Sequence, residues 1–124
     1  MVLEMSADHA KQRIVFDRPL GSFPVIQHQI ANMMMDIDGS RFLTYEAAWK
    51  FAEGLPCAKE IAMAKAWTTE AFQRATATGH QIFGGIGYTV HSDMHLYFRR
   101  AKAAEASIGD GNFHREILAK ELGM

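Results

Sequence analysis

The sequence predicts an all-α fold: an up-down four-helix bundle whose first helix is truncated. Three observations predict it. Apolar residues recur at three- and four-residue spacing through every long segment, the period of a helix with one buried face. No segment shows the strict alternation of a half-buried strand. Eight methionines and many alanines stand against three prolines, a balance that favours helix. The 124 residues suffice for one modest core. No repeat or low-complexity stretch divides them, so residues 1–124 are read as one domain.

The first helix is expected from Met1 to about Val15, with Leu3, Ala7, Ala10 and Ile14 on one face. No Ser, Thr, Asp or Asn cap precedes the pattern, so this helix reads as if it starts in its middle. Phe16–Gly21 forms a connection broken by Pro19 and Gly21. Ser22 is the expected cap of a long second helix reaching about Glu53. Its stripe runs Phe23, Ile26, Ile30, Met33 or Met34, Ile37, Thr44, Ala48 and Phe51. Gly39 makes a soft point, and two helices broken there are the alternative. Gly54-Leu55-Pro56 ends the element. A third helix spans about Cys57–Thr78, with Ile61, Ala64, Thr68, Ala71 and Ala75 inward, Phe72 at the margin, and Gly79 as its stop. A glycine-rich segment follows. Ser92 or Asp93 caps a fourth helix with Met94, Tyr97, Phe98, Ala101 and Ala104 inside. After Gly109, Asp110 or Asn112 caps a short last helix that reaches Leu122. Ala-rich faces permit close packing in an antiparallel bundle with short loops. The long second helix has too little partner surface if the first is only fifteen residues.

Bulk properties exclude several functions. Thirteen basic against fourteen acidic residues give a formal charge of −1, which gives no support for a nucleic-acid partner. One cysteine, Cys57, rules out an internal disulfide. No apolar run is long enough to span a bilayer. The segment MVLEMSADHAKQR lacks a signal core, so a cytoplasmic location is expected.

Several constellations could carry chemistry. Gly84-Gly85-Ile86-Gly87 could turn backbone N–H groups toward an anion. No Lys-Ser/Thr pair follows it and no strand precedes it, so neither nucleotide-binding signature fits; a plain helix-to-helix turn is the ordinary reading. His91 and His95 are four apart, as metal ligands would be on a helix, but no third ligand has useful spacing, and no metal is expected. Cys57 has no base to activate it and reads as a structural thiol. The other histidines, His9, His28, His80 and His114, read as ordinary polar positions. Arg13 lies near Phe16, and Arg99, Arg100 and Lys102 cluster later. A guanidinium can hold a pyrophosphate in bidentate fashion, although solvated helix-end charge is the ordinary alternative. Met33-Met34-Met35 reads as core filler.

Three segments taken in order carry a resemblance: AKQRIVFDRPLGSFPVIQHQIANM, AKEIAMAKAW and QIFGGIGYTVHSDMHLYFRRAKA. Their sequence and spacing resemble the C-terminal domain of acyl-CoA dehydrogenases over essentially the whole chain. The resemblance implies a helical bundle that takes part in dimer or tetramer assembly of an FAD-dependent enzyme desaturating acyl-CoA thioesters. It implies that Arg13 holds the pyrophosphate of a neighbouring subunit's FAD, with Phe16 beside it. Gln81 and the Gly84-Gly85 turn would approach the ADP half of that cofactor. Arg99 and Lys102 would support packing and charge. Gly109 matches the turn beside the acyl thioester, and Asp110 and Asn112 match positions touching the subunit's own FAD.

Three positions depart from the family pattern. Asp17 replaces a glycine, and its negative charge would weaken a nearby pyrophosphate site. Pro24 replaces a glutamine, and Ile108 stands where many members carry the glutamate base. Glu105 lies one turn earlier at the wrong height. No catalytic residue is therefore assigned. Two expectations follow. One is the assembly and FAD-contacting domain of a dehydrogenase, inactive alone, working as a homo-oligomer or with a catalytic dehydrogenase subunit. The other is a non-catalytic helical module for oligomerisation or partner binding.

Overall fold

The computed structural model describes residues 1–124. Five helices form: α1 (Val2–Gln12), α2 (Pro24–Ala52), α3 (Ala58–Phe83), α4 (Met94–Ala106) and α5 (Gly111–Glu121). The third is the axle. Arg74 pairs with Asp36 at 2.6 Å and Lys50 with Glu60 at 2.6 Å, so α2 runs antiparallel to α3. His80 meets Phe98, while Lys65 donates to the carbonyls of Ala104 and Ser107, so α4 is antiparallel as well. Arg115 at the start of α5 pairs with Glu70. The fourth column of the bundle is thus α4 followed by α5, divided at Ser107–Asp110. Lys65 satisfies carbonyls that the end of α4 leaves without helical partners.

The core is small and made from alanine and methionine. Val2, Ala10, Met33, Ala75, Ile82 and Met94 form one buried cluster, with Leu3, Met5, Leu20, Ile26 and Ile30 packed around it. Alanine lets axes approach. At Gly79 the approach is close: an added Cβ would lie 2.9 Å from Met94 Sδ and 3.1 Å from Val2 Cγ1. Gly79 therefore does not stop α3, which continues to Phe83. Gly39 likewise does not break α2. It makes room for the Trp67 indole, whose Nε1 would be 3.0 Å from a Cβ there.

Two other boundaries differ from the sequence expectation. The first helix ends at Gln12, because Arg13 turns into extended backbone. A two-residue antiparallel hairpin follows, β1 (Ile14–Val15) with β2 (Arg18–Pro19). Phe16 and Asp17 form its turn at φ 50° and 60°, the double left-handed geometry that matches hairpin twist. Aspartate at position 17 tolerates this geometry. A 3-10 turn, Leu20–Ser22, then leads to α2. Ser22 is not the cap: its hydroxyl donates to the Pro19 carbonyl, and Phe23 occupies the cap position without a side-chain bond. Pro24 opens α2, where proline's missing N–H costs nothing. At α4, Ser92 Oγ accepts the Met94 N–H at 3.2 Å. At α5, Asp110 is the cap, accepting the Phe113 N–H at 2.8 Å. Phe98 lies largely outside the core that Met94 and Ala101 enter, and Ile61 of α3 is also largely exposed.

Candidate functional site

Where α1 ends and α3 ends, a cleft of about 460 Å³ opens, lined in part by His9, Arg13, Leu20, Phe83, Gly84 and Gly85. Local geometry builds it. Arg13 is the cap residue that follows α1, and its carbonyl accepts the Leu20 N–H at 2.7 Å, which closes the hairpin loop beneath it. Its guanidinium forms no ion pair and no hydrogen bond within the chain. Opposite, α3 terminates at Gly84 with φ 62°, and a 3-10 turn, Gly84–Tyr88, carries the chain away. The positive φ accounts for glycine at 84. It does not account for Gly85, whose φ is ordinary and where an added Cβ would meet nothing within 4 Å. Nothing inside the chain requires glycine there.

The sequence missed His9. Its ring stacks on Phe83 at 4.3 Å with an interplanar angle of 15°. Partial burial first, and then the nearby Arg13 cation, lower its pKa, so the ring is biased toward the neutral form. The available signal was its spacing, four residues before Arg13 and therefore on the same helical face. His80 is not an ordinary polar position either. It is buried, stacks on Tyr88 at 4.6 Å and meets Phe98 edge-on. Its Nδ1 has no partner. Burial, and then His95, lower its pKa. His80 thereby anchors the glycine turn, for a Cβ at Gly87 would sit 3.1 Å from its Nδ1. His114 is buried too, with Nε2 2.8 Å from the Ile108 carbonyl.

The expected cofactor residues divide into two groups. Arg13, Gly84 and Gly85 share the cleft. Gln81 is exposed on the last turn of α3 and does not line it. Phe16 is at the hairpin tip, 85% exposed, edge-on to Phe23 at 6.5 Å rather than against Arg13. Asp17 shares that tip and contributes nothing to the cleft lining. Gly109, Asp110 and Asn112 lie at the α4–α5 break. Arg115, one turn into α5, pairs with Glu70, fourteen residues before Gly84 and so about 21 Å away along α3. These residues cannot serve the cleft around Arg13. Gly109 has φ 89°, Ile108 projects into solvent at φ 65°, and Asn112 Oδ1 accepts from Arg115. A β-branched residue at positive φ is a strained position.

Glu105 is engaged by Lys102 at 2.5 Å. That hydrogen bond, followed by one from Gln73, depresses its pKa and makes it a weaker base. His91 is exposed, and His95 Nδ1 is tied to the Ser92 carbonyl at 2.7 Å. No three His, Cys, Asp or Glu side chains converge on a point. Cys57 is half-buried at the start of α3, beside a surface hollow with Lys50 and Lys59. No helix is long and apolar enough to cross a membrane.

Residues 1–123 match the family described as acyl-CoA dehydrogenase, C-terminal domain. The chain belongs to the acyl-CoA dehydrogenase family. It is 32% identical to acyl-CoA dehydrogenase FadE27 of Mycobacterium tuberculosis, over 97% of this chain and 34% of that protein. It superposes with a TM-score of 0.94 on a chain of the ChsE4–ChsE5 complex of M. tuberculosis, at 34% identity, over 98% of this chain and 33% of that one. A TM-score of 0.94 also relates it to the FAD complex of PigA, at 25% identity, over 98% of this chain and 32% of that one. The chain thus spans about a third of the length of these acyl-CoA dehydrogenase relatives, and corresponds to the family's C-terminal helical domain.

Proposed function

We propose that this chain is the assembly and FAD-contacting domain of a flavin-dependent acyl-CoA dehydrogenase. In this reading Arg13 and the Gly84-Gly85 turn bind the pyrophosphate and ADP half of an FAD held by a neighbouring subunit. The observation that carries it is the pairing, in one cleft, of an unpaired guanidinium with a glycine that its own fold does not require. Bidentate hydrogen bonding suits guanidinium to pyrophosphate, and a missing Cβ lets a phosphate approach the backbone closely. PigA, a structural relative, is described with FAD. The chemistry supplied by bound FAD is hydride acceptance from the acyl β-carbon. The α4–α5 break, with Gly109, Asp110 and Asn112, would face a second cofactor and thioester site about 21 Å from the first along the helix axis.

Proton abstraction is assigned to no residue of this chain. Ile108 cannot take a proton, and Glu105 is held as a weak base by Lys102. These 124 residues alone are accordingly inactive, and the flavin ring, the thioester pocket and the base are supplied from outside them, within a homo-oligomer or by a catalytic dehydrogenase subunit. Mixing the purified chain with separately expressed N-terminal and middle domains of a close relative tests this. Acyl-CoA-dependent dye reduction that requires both components is expected. No reduction with acyl chains of several lengths would count against the reading.

A second reading, a helical module that only assembles with a partner, is favoured by the outer face of α2. Phe42, Tyr45 and Trp49 are all more than half exposed there. A chain that is indifferent to FAD yet captures a full-length dehydrogenase would decide for it.

A further inference from the structure

His80 is a buried titratable side chain that the cofactor reading leaves unused. It sits near the end of α3, 4% exposed, packed against the turn Gly84–Tyr88. It holds that turn at both ends. Its carbonyl accepts the Gly84 N–H, and its ring stacks on Tyr88 at 4.6 Å. Between these contacts Gly87 lets the backbone close on Nδ1, where a Cβ would lie 3.1 Å away. Phe98 of α4 meets the ring edge-on at 5.0 Å. Gly84, Gly85, Ile86 and Thr89 of the same short segment line the cleft that Arg13 enters. A shift of the His80 ring is therefore passed to the cleft wall through a 3-10 turn of only five residues.

This packing suits an uncharged ring. An imidazolium carries an N–H on both nitrogens, and Nδ1 is buried with no acceptor. A buried donor without a partner is costly, and more so when it is charged. From α4, His95 adds a like charge when both rings are protonated. From the turn, Tyr88 offers a π-face to a cation, but Tyr88 is 76% exposed and leaves the Nδ1 proton unsatisfied. From α1, His9 stacks on Phe83 and lines the cleft itself, beside Arg13.

We infer that His80 is a positioning residue for the diphosphate cleft: its uncharged ring holds the glycine turn in the binding geometry, and its protonation loosens the turn and weakens the hold on FAD. This rests on the flavin reading of the cleft. The two histidines make the sign diagnostic. A protonated His9 would add a cation to the cleft lining and attract a diphosphate, whereas a protonated His80 would release one. Affinity that falls with acid thus belongs to His80.

FAD binding to the 124-residue chain, read by flavin fluorescence at pH 8 and pH 5.5, tests this beside His80→Phe and His80→Gln. Far-UV circular dichroism at both pH values checks that each protein is folded, and His80→Gln carries the comparison if His80→Phe is not. Wild-type affinity is expected to be weaker at pH 5.5 by about threefold or more, since only the competent fraction binds. In the variants the ratio of the two affinities should be flat or reversed. A second readout needs no ligand: hydrogen exchange, followed by NMR, of the Gly84 and Thr89 amides, which close the two ends of the turn. At pH 5.5 these should exchange faster in the wild type than in the variants, with no such excess at pH 8. A wild-type affinity that does not fall with acid, or that falls equally in the variants, would overturn the inference. Equal exchange at pH 5.5 would overturn it whether or not FAD binds. No FAD binding at pH 8 would overturn the flavin reading, and the exchange comparison would then decide for or against the His80 switch.

Discussion

The two long helices lie side by side and differ in almost every other respect. In its 29 residues α2 buries only Met33 and Ala47, whereas α3 buries eleven of 26. The α3 set is mostly alanine, threonine and glycine, small residues that admit neighbours on several sides. The α2 set of exposed residues includes Val25, Met34, Met35, Phe42 and Trp49. Burial of apolar area drives folding in one case and is left incomplete within the chain in the other. One helix carries most of the buried packing of the chain; the other leaves large apolar side chains exposed.

The sharpest way to break this contrast is to damage each helix and compare the outcomes. Met94→Ala empties a site fully buried against α3 at Gly79. A loss of about 3 kcal/mol is expected in urea unfolding. The double substitution Phe42→Ser with Trp49→Ser on α2 should change monomer stability by less than about 0.5 kcal/mol. The same pair should reduce oligomer mass in analytical ultracentrifugation. A large loss of stability from the α2 pair, or an unchanged mass, would erase the distinction.

A smaller effect sharpens the contrast at the far end of α3. Gly84 has φ 62°, while Gly85 has neither a positive φ nor a close neighbour. Gly84→Ala should cost about 1–2 kcal/mol. Gly85→Ala should be neutral or stabilise by about 0.5 kcal/mol, yet weaken FAD binding. Equal stability effects at both positions would remove the argument that a ligand explains the second glycine.

The pH dependence also comes from α3. Burial depresses the His80 pKa below 6.5, with His95 adding to the shift. The folded state therefore disfavours the proton and the unfolded state binds more of it, so stability rises with pH in this range. The contribution is present above about pH 6.5 and is lost as pH falls toward the folded-state value. His9, lowered chiefly by burial, acts in the same direction. Thermal melts should show a lower midpoint at pH 5 than at pH 7.5, and His80→Gln should flatten the slope. An unchanged slope would mean that another group titrates.

The helices were legible because each carries a repeating apolar face, and the ends at Gly54 and Gly123 because glycine permits their positive φ. Gly39 and Gly79 misled for the opposite reason: they answer to neighbouring side chains, Trp67 and Met94, that are distant in sequence. The hairpin at Ile14–Pro19 was invisible, since two-residue strands are too short to alternate and neither Phe16 nor Asp17 announces a left-handed backbone. In the candidate site, the resemblance selected Arg13, Gly84 and Gly85, and the fold brings these three into one cleft. Phe16 and Gln81 fall outside its lining, because the hairpin turn and the helical phase point them elsewhere. His9 and His80 were missed because burial, which makes them distinctive, follows from packing and not from local sequence.

The central claim is that the cleft between Arg13 and the glycine turn accepts the diphosphate half of FAD. Titration of the purified chain with FAD, followed by flavin fluorescence, tests it most directly, with Arg13→Ala measured in parallel. Saturable quenching is expected, weakened about tenfold or more in the variant, as loss of a charged hydrogen-bond donor predicts. Saturable binding that Arg13→Ala leaves unchanged, or no binding by the chain either alone or mixed with the complementary domains, would contradict the account.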